Sequence, residues 1–254
     1  MKLTFLGTGT STGVPTIGCR CETCLSDDPR DKRLRVSVLI EHNGKTVLID
    51  TSADFRQQAL KHDITRLDAL LITHSHVDHI FGLDDVRPIN FRHGALGVYA
   101  DAATWDDLRR VFQYIFKPIH IGGGLPKLIP HTVEPNAAFC FGSDLTVTPL
   151  LVMHGKTPIT AFRVNDFAYA TDVSELPDDA LKGLRELDVL VLDCLRFKPH
   201  STHLHVEKAL EYVRELRPKQ TYFTHINHDV LHTRDSESLP DNVYFAYDGL
   251  IVER

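Results

Sequence analysis

"THSHVDHIFGLDD", residues 73–85, places His74, His76, Asp78 and His79 within six positions of one another. It overlaps the end of "DALLIT", residues 68–73, a continuous apolar run of strand length. On an extended chain His74 and His76 point to the same side. A turn after them brings Asp78 and His79 round to a neighbouring position. Two imidazoles then face one ion, and a carboxylate with an imidazole faces a second. Imidazole and carboxylate suit Zn, Mn or Fe. A two-ion site needs its ions about 3.5–4 Å apart, which ligands clustered on one loop can provide.

The rest of the composition is ordinary. Apolar residues make up 43 % of the 254-residue chain and charged ones 24 %, enough for a substantial core. The net charge is −6 and no Lys/Arg run stands out, so nucleic acid is not an expected partner. No stretch approaches the roughly 18 apolar residues of a membrane span, so no membrane partner is expected. The opening "MKLTFLGTGT" lacks a signal-peptide core and cleavage site, so the expected location is cytoplasmic. Histidine is the outlier, with 15 in all, eight of them in "THSHVDH", "PHSTHLH" and "THINH". Of the five cysteines, Cys140 in "AAFCFG" and Cys194 in "LVLDCLRF" are expected as small buried apolar groups. The other three, Cys19, Cys21 and Cys24, lie in "GCRCETC". They cannot all pair with one another, and they fall one ligand short of a closed tetrahedral zinc site.

Outward from the motif, short apolar strands alternate with a few amphipathic helices. "KLTFLG" (2–7), "VSVLIE" (36–41) and "TVLID" (46–50) predict strands, the last two joined by the turn "HNGK" (42–45). Further strands are expected at 144–153, 158–164, 167–171, 187–193 and 220–225. Helices are expected over 103–116, with Trp105, Leu108, Phe112 and Ile115 inward, and over 205–216, with Val206, Ala209, Leu210 and Val213 inward. "IGGGLPKLIP" (121–130) reads as a flexible loop. The glycines after the first strand do not fit G-x-G-x-x-G, and Pro15 and Cys19 stand where a helix would begin, so no nucleotide loop is expected. No linker or repeat divides the chain, which reads as a single α/β domain over residues 1–254, not a simple Rossmann sheet.

"HSHVDH", 74–79, matches the H-x-H-x-D-H signature of the metallo-β-lactamase superfamily, and the chain resembles that family over most of its length. The resemblance implies an α/β fold, the αββα four-layer sandwich, with a dinuclear metal site at one edge and metal-assisted hydrolysis. It implies that Asp50 orients a metal ligand and that His154 completes the first metal's set. It further implies that Asp172 bridges both ions and that His225 is the last ligand of the second. Superfamily membership leaves the substrate open.

Three local features narrow the branch. "FLGTGTSTGVP" is similar to the start of the tRNA 3′-processing endonucleases and their smaller phosphodiesterase relatives. In the phosphodiesterase branch a histidine ahead of a helix works beside the metals. His203, in "HSTHLHVEKALEYV", best matches it, with His200 and His205 as competitors. The C-x-C-x-x-C run, with a histidine three residues after the last active-site ligand, resembles the branch that hydrolyses phosphoribosyl 1,2-cyclic phosphate in carbon–phosphorus lyase pathways. That implies a structural zinc on Cys19, Cys21, Cys24 and His228, beside two catalytic divalent metals, Zn or Mn. The expected function is hydrolysis of a small cyclic phosphodiester by metal-activated hydroxide, with His203 as acid and Asp78 also catalytic. Arg87, Arg196 and Lys198 lie near the motif loops and are candidates for a substrate phosphate. The expected partner is a small phosphorylated substrate, and a homodimer is compatible with the sequence. The alternatives are an RNA hydrolase of the tRNA 3′-processing kind, whose usual long arm is not evident here, and a lactone or thioester metallo-hydrolase.

Overall fold

Apolar residues of both parities along the strands set the layers. The computed structural model describes residues 1–117 and 124–254. One sheet contains β1 (Lys2–Gly7), β2 (Ser37–His42), β3 (Lys45–Ile49), β4 (Ala69–Leu71), β5 (Leu96–Ala100) and β6 (Leu128–Thr132). A second contains β7 (Phe139–Phe141), β8 (Leu145–His154), β9 (Thr157–Val164), β10 (Phe167–Ala170), β11 (Val189–Asp193), β12 (Gln220–Thr224) and β13 (Val243–Phe245). β14 (Ile251–Glu253) returns to the first sheet beside β1, and each sheet has seven strands among the described residues. The order is β14-β1-β2-β3-β4-β5-β6 in one and β13-β12-β11-β10-β9-β8-β7 in the other.

Val47, Ile49 and Leu71 share one buried core with Val189 and Val191, between the sheets. The intervening Leu48, Leu70 and Ile72 share another with Phe55, Ile80, Trp105 and Leu108. On the far side Leu190 and Leu192 pack with Val206, Ala209 and Tyr212. Strands buried on both faces read as unbroken apolar runs, and helices cover both outer faces. The result is the αββα sandwich.

Parallel pairing runs through β3-β4-β5-β6 and β10-β11-β12-β13, so the carboxyl ends of those strands gather at common edges. The chain turns sharply there. Asp50 (φ 61°), Asp172 (φ 58°) and His225 (φ 60°) all adopt the left-handed conformation. Asp and His tolerate it better than most residues, at a cost of about 1–3 kcal/mol each. The contacts of these three side chains must offset that cost.

The glycine run after β1 has a packing cause. A Cβ on Gly9 would sit 2.8 Å from the Arg33 carbonyl oxygen. Its neighbours tie this segment to residue 226: Thr10 N–H donates to the Ile226 carbonyl and Ile226 N–H donates to the Thr8 carbonyl.

Three expectations are corrected. The helix expected over 103–116 is two, Ala102–Val111 and Gln113–Phe116, because Phe112 leaves helical geometry at φ −105°, ψ 41°. Cys140 is exposed, since on the edge strand β7 it lies between two inward-leaning phenylalanines. In the helix Val206–Leu216 all four residues expected inward face the core, Val206 and Ala209 buried and Leu210 and Val213 packed against it, and Tyr212 and Leu216 are buried beside them. Part of the loop expected at 121–130 is β6, and residues 121–123 lie outside the described residues. No helix among the described residues is long and apolar enough to cross a membrane.

Candidate metal centre

β4 delivers Thr73 and His74 to the edge of the sandwich, and a short helix, Val77–Ile80, turns the chain back. Ile80 anchors that helix in the core, and the Thr51 N–H donates to the His79 carbonyl at 2.8 Å. The Ser75 hydroxyl donates to Asp107 at 2.6 Å and holds the outer side of the loop. β8 ends on His154, β10 runs into Asp172 and β12 into His225.

Two groups of donors result. His74, His76, His154 and Asp172 form one; Asp78, His79, Asp172 and His225 form the other. Within each group the donor atoms lie within 4.8 Å of one another, and Asp172 is shared. Asp172 Oδ1 is 3.2 Å from His79 Nε2 and 3.4 Å from His225 Nε2, and Asp172 Oδ2 is 3.9 Å from His74 Nε2. The structure thus brings together all the residues that the sequence placed in the dinuclear set.

Neighbouring groups fix the rings. Asp50 is fully buried and its Oδ2 lies 2.7 Å from His79 Nδ1, while it also accepts from the Thr73 N–H and hydroxyl, both at 2.8 Å. His154 Nδ1 donates to the Thr202 carbonyl at 2.8 Å. These bonds leave the Nε2 lone pairs to face inward. His74, His79 and His225 all carry a buried Nε2 with no hydrogen-bond partner among the described residues.

The buried carboxylates and imidazoles act strongly on one another. Burial pushes Asp172 up, but His225 and His79 outweigh it and hold the carboxyl well below the usual range. Burial pushes His79 down, and Asp172, Asp50 and Asp78 raise it well above the ordinary value. His74 is depressed, first by burial and then by His79. Buried carboxylates and unpartnered imidazole nitrogens suit divalent cations of the Zn, Mn or Fe kind.

Asp193, at the end of β11, was not among the expected site residues. It is fully buried and accepts from the Asp172 N–H (3.0 Å) and the Leu204 N–H (2.8 Å), with His203 Nδ1 at 3.1 Å. The one sequence signal is its position: it closes an apolar strand as Asp50 follows β3. The His203 ring stacks on His225 at 4.6 Å and lies 4.8 Å from His154. His200 is exposed, with its ring 5.2 Å from that of His203. His205 caps the helix Val206–Leu216, and its backbone bridges to Arg196.

Cys19, Cys21, Cys24 and His228 form a separate group within 4.8 Å. His228 Nδ1 is 3.3 Å from both Cys19 Sγ and Cys21 Sγ. Burial pushes the Cys24 thiol up to about 11. Buried Arg33 donates to the carbonyls of Asn227 (3.0 Å) and Val230 (2.9 Å), on either side of His228, and pairs with Asp31 at 2.8 Å. Of the suggested cations, Arg87 pairs with Asp84 at 2.6 Å. Arg196 donates to the carbonyls of Lys198 and Pro199, each at 3.2 Å, and Lys198 is exposed.

Comparison with known proteins follows the same lines. A family model described as a beta-lactamase superfamily domain matches residues 45–226. The chain is 40 % identical over 98 % of its length to an octanoyltransferase of Porphyromonas gingivalis, and it spans about half (51 %) of that longer protein. Among solved structures, a diphosphatase from the PhnP family superposes with a TM-score of 0.92 at 44 % identity, over 99 % of this chain and 96 % of that one. The short form of human tRNase Z superposes with a TM-score of 0.74 at 19 % identity, over 100 % and 99 % of the two chains, a likeness of fold alone.

Proposed function

The chain belongs to the beta-lactamase superfamily and is a metallo-hydrolase resembling the PhnP family, and from that premise we propose that its 254 residues form one phosphohydrolase domain acting on a small phosphorylated substrate. His74, His76, His154 and Asp172 would hold one divalent cation, and Asp78, His79, Asp172 and His225 a second. Cys19, Cys21, Cys24 and His228 would hold a structural zinc. A pair of divalent cations supplies Lewis acidity for a phosphoryl oxygen and lowers the pKa of water toward neutrality.

The protein's own residues do the rest. Asp50 and the Thr202 carbonyl keep His79 and His154 in one tautomer and one orientation. Asp193 does the same for His203: its carboxylate accepts a hydrogen bond from Nδ1–H and fixes the ring, leaving Nε2 as the nitrogen that can carry a proton to a leaving oxygen. The observation that carries the reading is partly buried His203, paired with buried Asp193 and with its ring stacked on His225, a proton donor built against the candidate metal centre.

The sequence favours a cyclic phosphodiester, and the 44 % identical diphosphatase favours a diphosphate. Both require P–O cleavage with protonation of the departing oxygen. The test is a substrate panel: phosphoribosyl 1,2-cyclic phosphate, 2′,3′-cyclic nucleotides, bis(p-nitrophenyl) phosphate, a lactone, precursor tRNA and an octanoyl thioester. The octanoyl thioester is included because the longer relative is named an octanoyltransferase. His203→Ala should lower kcat on phosphoric esters by about 10²–10⁴-fold. Turnover of only the lactone or thioester would sink the phosphohydrolase reading.

A further inference from the structure

Thr202 joins histidines that the reaction would use separately. Its carbonyl takes the His154 Nδ1–H at 2.8 Å. Its backbone N–H and hydroxyl lie 3.3 and 3.2 Å from His200 Nδ1. Its side chain packs on the turn after β8, where a Cβ on Gly155 would sit 2.9 Å from Thr202 Cγ2. Arg196 pins the other end of the loop through the carbonyls of Lys198 and Pro199. His200 is therefore exposed but held.

A backbone N–H only donates, so His200 Nδ1 must accept. The neutral ring then carries its proton on Nε2, the nitrogen turned away from Thr202. His203, 5.2 Å away between ring centres, is attached the opposite way, with Nδ1 on a buried carboxylate. Two imidazoles thus stand side by side: one bonded through Nδ1 to a buried carboxylate, the other bonded through Nδ1 to Thr202, which leaves its Nε2–H as a free donor when the ring is neutral.

We propose that His200 is a specificity-determining residue whose Nε2–H takes a non-bridging oxygen of a second phosphoryl group in the leaving group, while His203 serves the bridging oxygen. This rests on the phosphohydrolase reading and narrows the substrate class to diesters of diphosphate. Bridging and non-bridging oxygens are neighbours on one phosphorus, so donors on adjacent rings reach both. In the reaction, water oxygen bonds to the attacked phosphorus and the bridging P–O bond breaks. The bridging oxygen takes the His203 proton, and a proton from water restores His203. Two phosphate monoesters leave, and only water is consumed.

The metal-loaded enzyme is tested on ADP-ribose, a diphosphate diester, and on bis(p-nitrophenyl) phosphate, whose leaving group carries no phosphate. His200→Ala should raise KM for ADP-ribose about tenfold, the loss of one hydrogen bond to an anion, with kcat little changed. The same variant should leave bis(p-nitrophenyl) phosphate kinetics unchanged. His200→Gln restores a side-chain donor and should recover most of the loss, whereas His203→Ala should depress kcat on both substrates. Equal effects of His200→Ala on the two substrates, or no effect on either, overturn the assignment. A wild-type enzyme that cleaves bis(p-nitrophenyl) phosphate but not ADP-ribose overturns the diphosphate class. Inertness toward both strikes the phosphohydrolase reading itself.

Discussion

Two candidate metal groups lie three residues apart on the segment from His225 to His228, and they are built by opposite means. The group around Asp172 draws its donors from the ends of several strands and one short helix, all but His76 buried, with rings oriented by Asp50 and Thr202 and the Asp172 backbone held by Asp193. The group around His228 takes three of its four donors from one six-residue run, and three of the four are only half-buried. Among the described residues no carboxylate orients its imidazole: His228 Nδ1 meets sulfur directly. The first arrangement suits chemistry, because a network of fixed dipoles and open nitrogen lone pairs tunes whatever it holds. The second suits a clip, because closed sulfur-rich sets bind zinc tightly and leave no position for substrate.

The sharpest way to break the contrast is to remove the shared carboxylate. Asp172→Asn takes a charge from both donor groups at once, so activity should fall by on the order of 10³-fold or more. Metal analysis should show up to two ions lost, with the zinc on the cysteine group retained. Loss of the cysteine-bound zinc instead would mean that the two groups are one cooperative site. Cys21→Ser makes the complementary cut. It should remove one zinc and lower unfolding stability by about 3 kcal/mol or more. The variant's kcat should change by less than about tenfold, or about 1.4 kcal/mol of activation free energy. A larger kcat loss with unchanged zinc content would show that the clip reading is wrong.

The contrast also explains what the sequence could show. Local ligand density is visible in one dimension, so His74, His76, Asp78 and His79 stood out, as did the three cysteines. Their distant partners His154, Asp172 and His225 could be placed only by resemblance, each at the end of an apolar run. Asp193 was hidden because its partners, the Asp172 N–H and the His203 ring, are 21 and 10 residues away and come near only once β10 and β11 pair. Thr202 was hidden for a stronger reason, since it orients His154 through a backbone carbonyl that any residue would carry. Cys140 is exposed despite its apolar setting because edge strand β7 turns alternate residues outward, which neighbouring residue types do not reveal. The break at Phe112 left no periodic sign, because Phe112 and Ile115 both still pack against the core under the helices.

The smallest expected effect lies beneath both groups. Half-buried Asp248 accepts from the Thr8 hydroxyl (2.8 Å) and the Leu34 N–H (2.7 Å), and the Thr8 carbonyl in turn takes the N–H of Ile226, between His225 and His228. Burial pushes the Asp248 carboxyl up to about 7, against the opposing pull of the Leu34 N–H, the Thr8 hydroxyl and Lys61. A raised carboxyl pKa means that the folded state prefers the proton. The associated stabilisation is full below the unfolded value of about 3.9 and is lost as pH rises through about 7. Its ceiling is about 4 kcal/mol, and solvent access lowers the expected change to about 1–2 kcal/mol. Asp248→Asn removes the titration yet keeps both bonds, since the amide oxygen can accept from Leu34 N–H and the Thr8 hydroxyl can turn to accept from the amide nitrogen. Histidine and metal linkage also act between pH 5 and 8, so the useful quantity is the difference in urea stability between variant and wild type. That difference should move in the variant's favour by about 1–2 kcal/mol from pH 5 to pH 8. Metal content should stay the same throughout. A flat difference would remove Asp248 as a titrating support. A shift accompanied by zinc loss would join the segment beneath to the cysteine clip and make the two regions one.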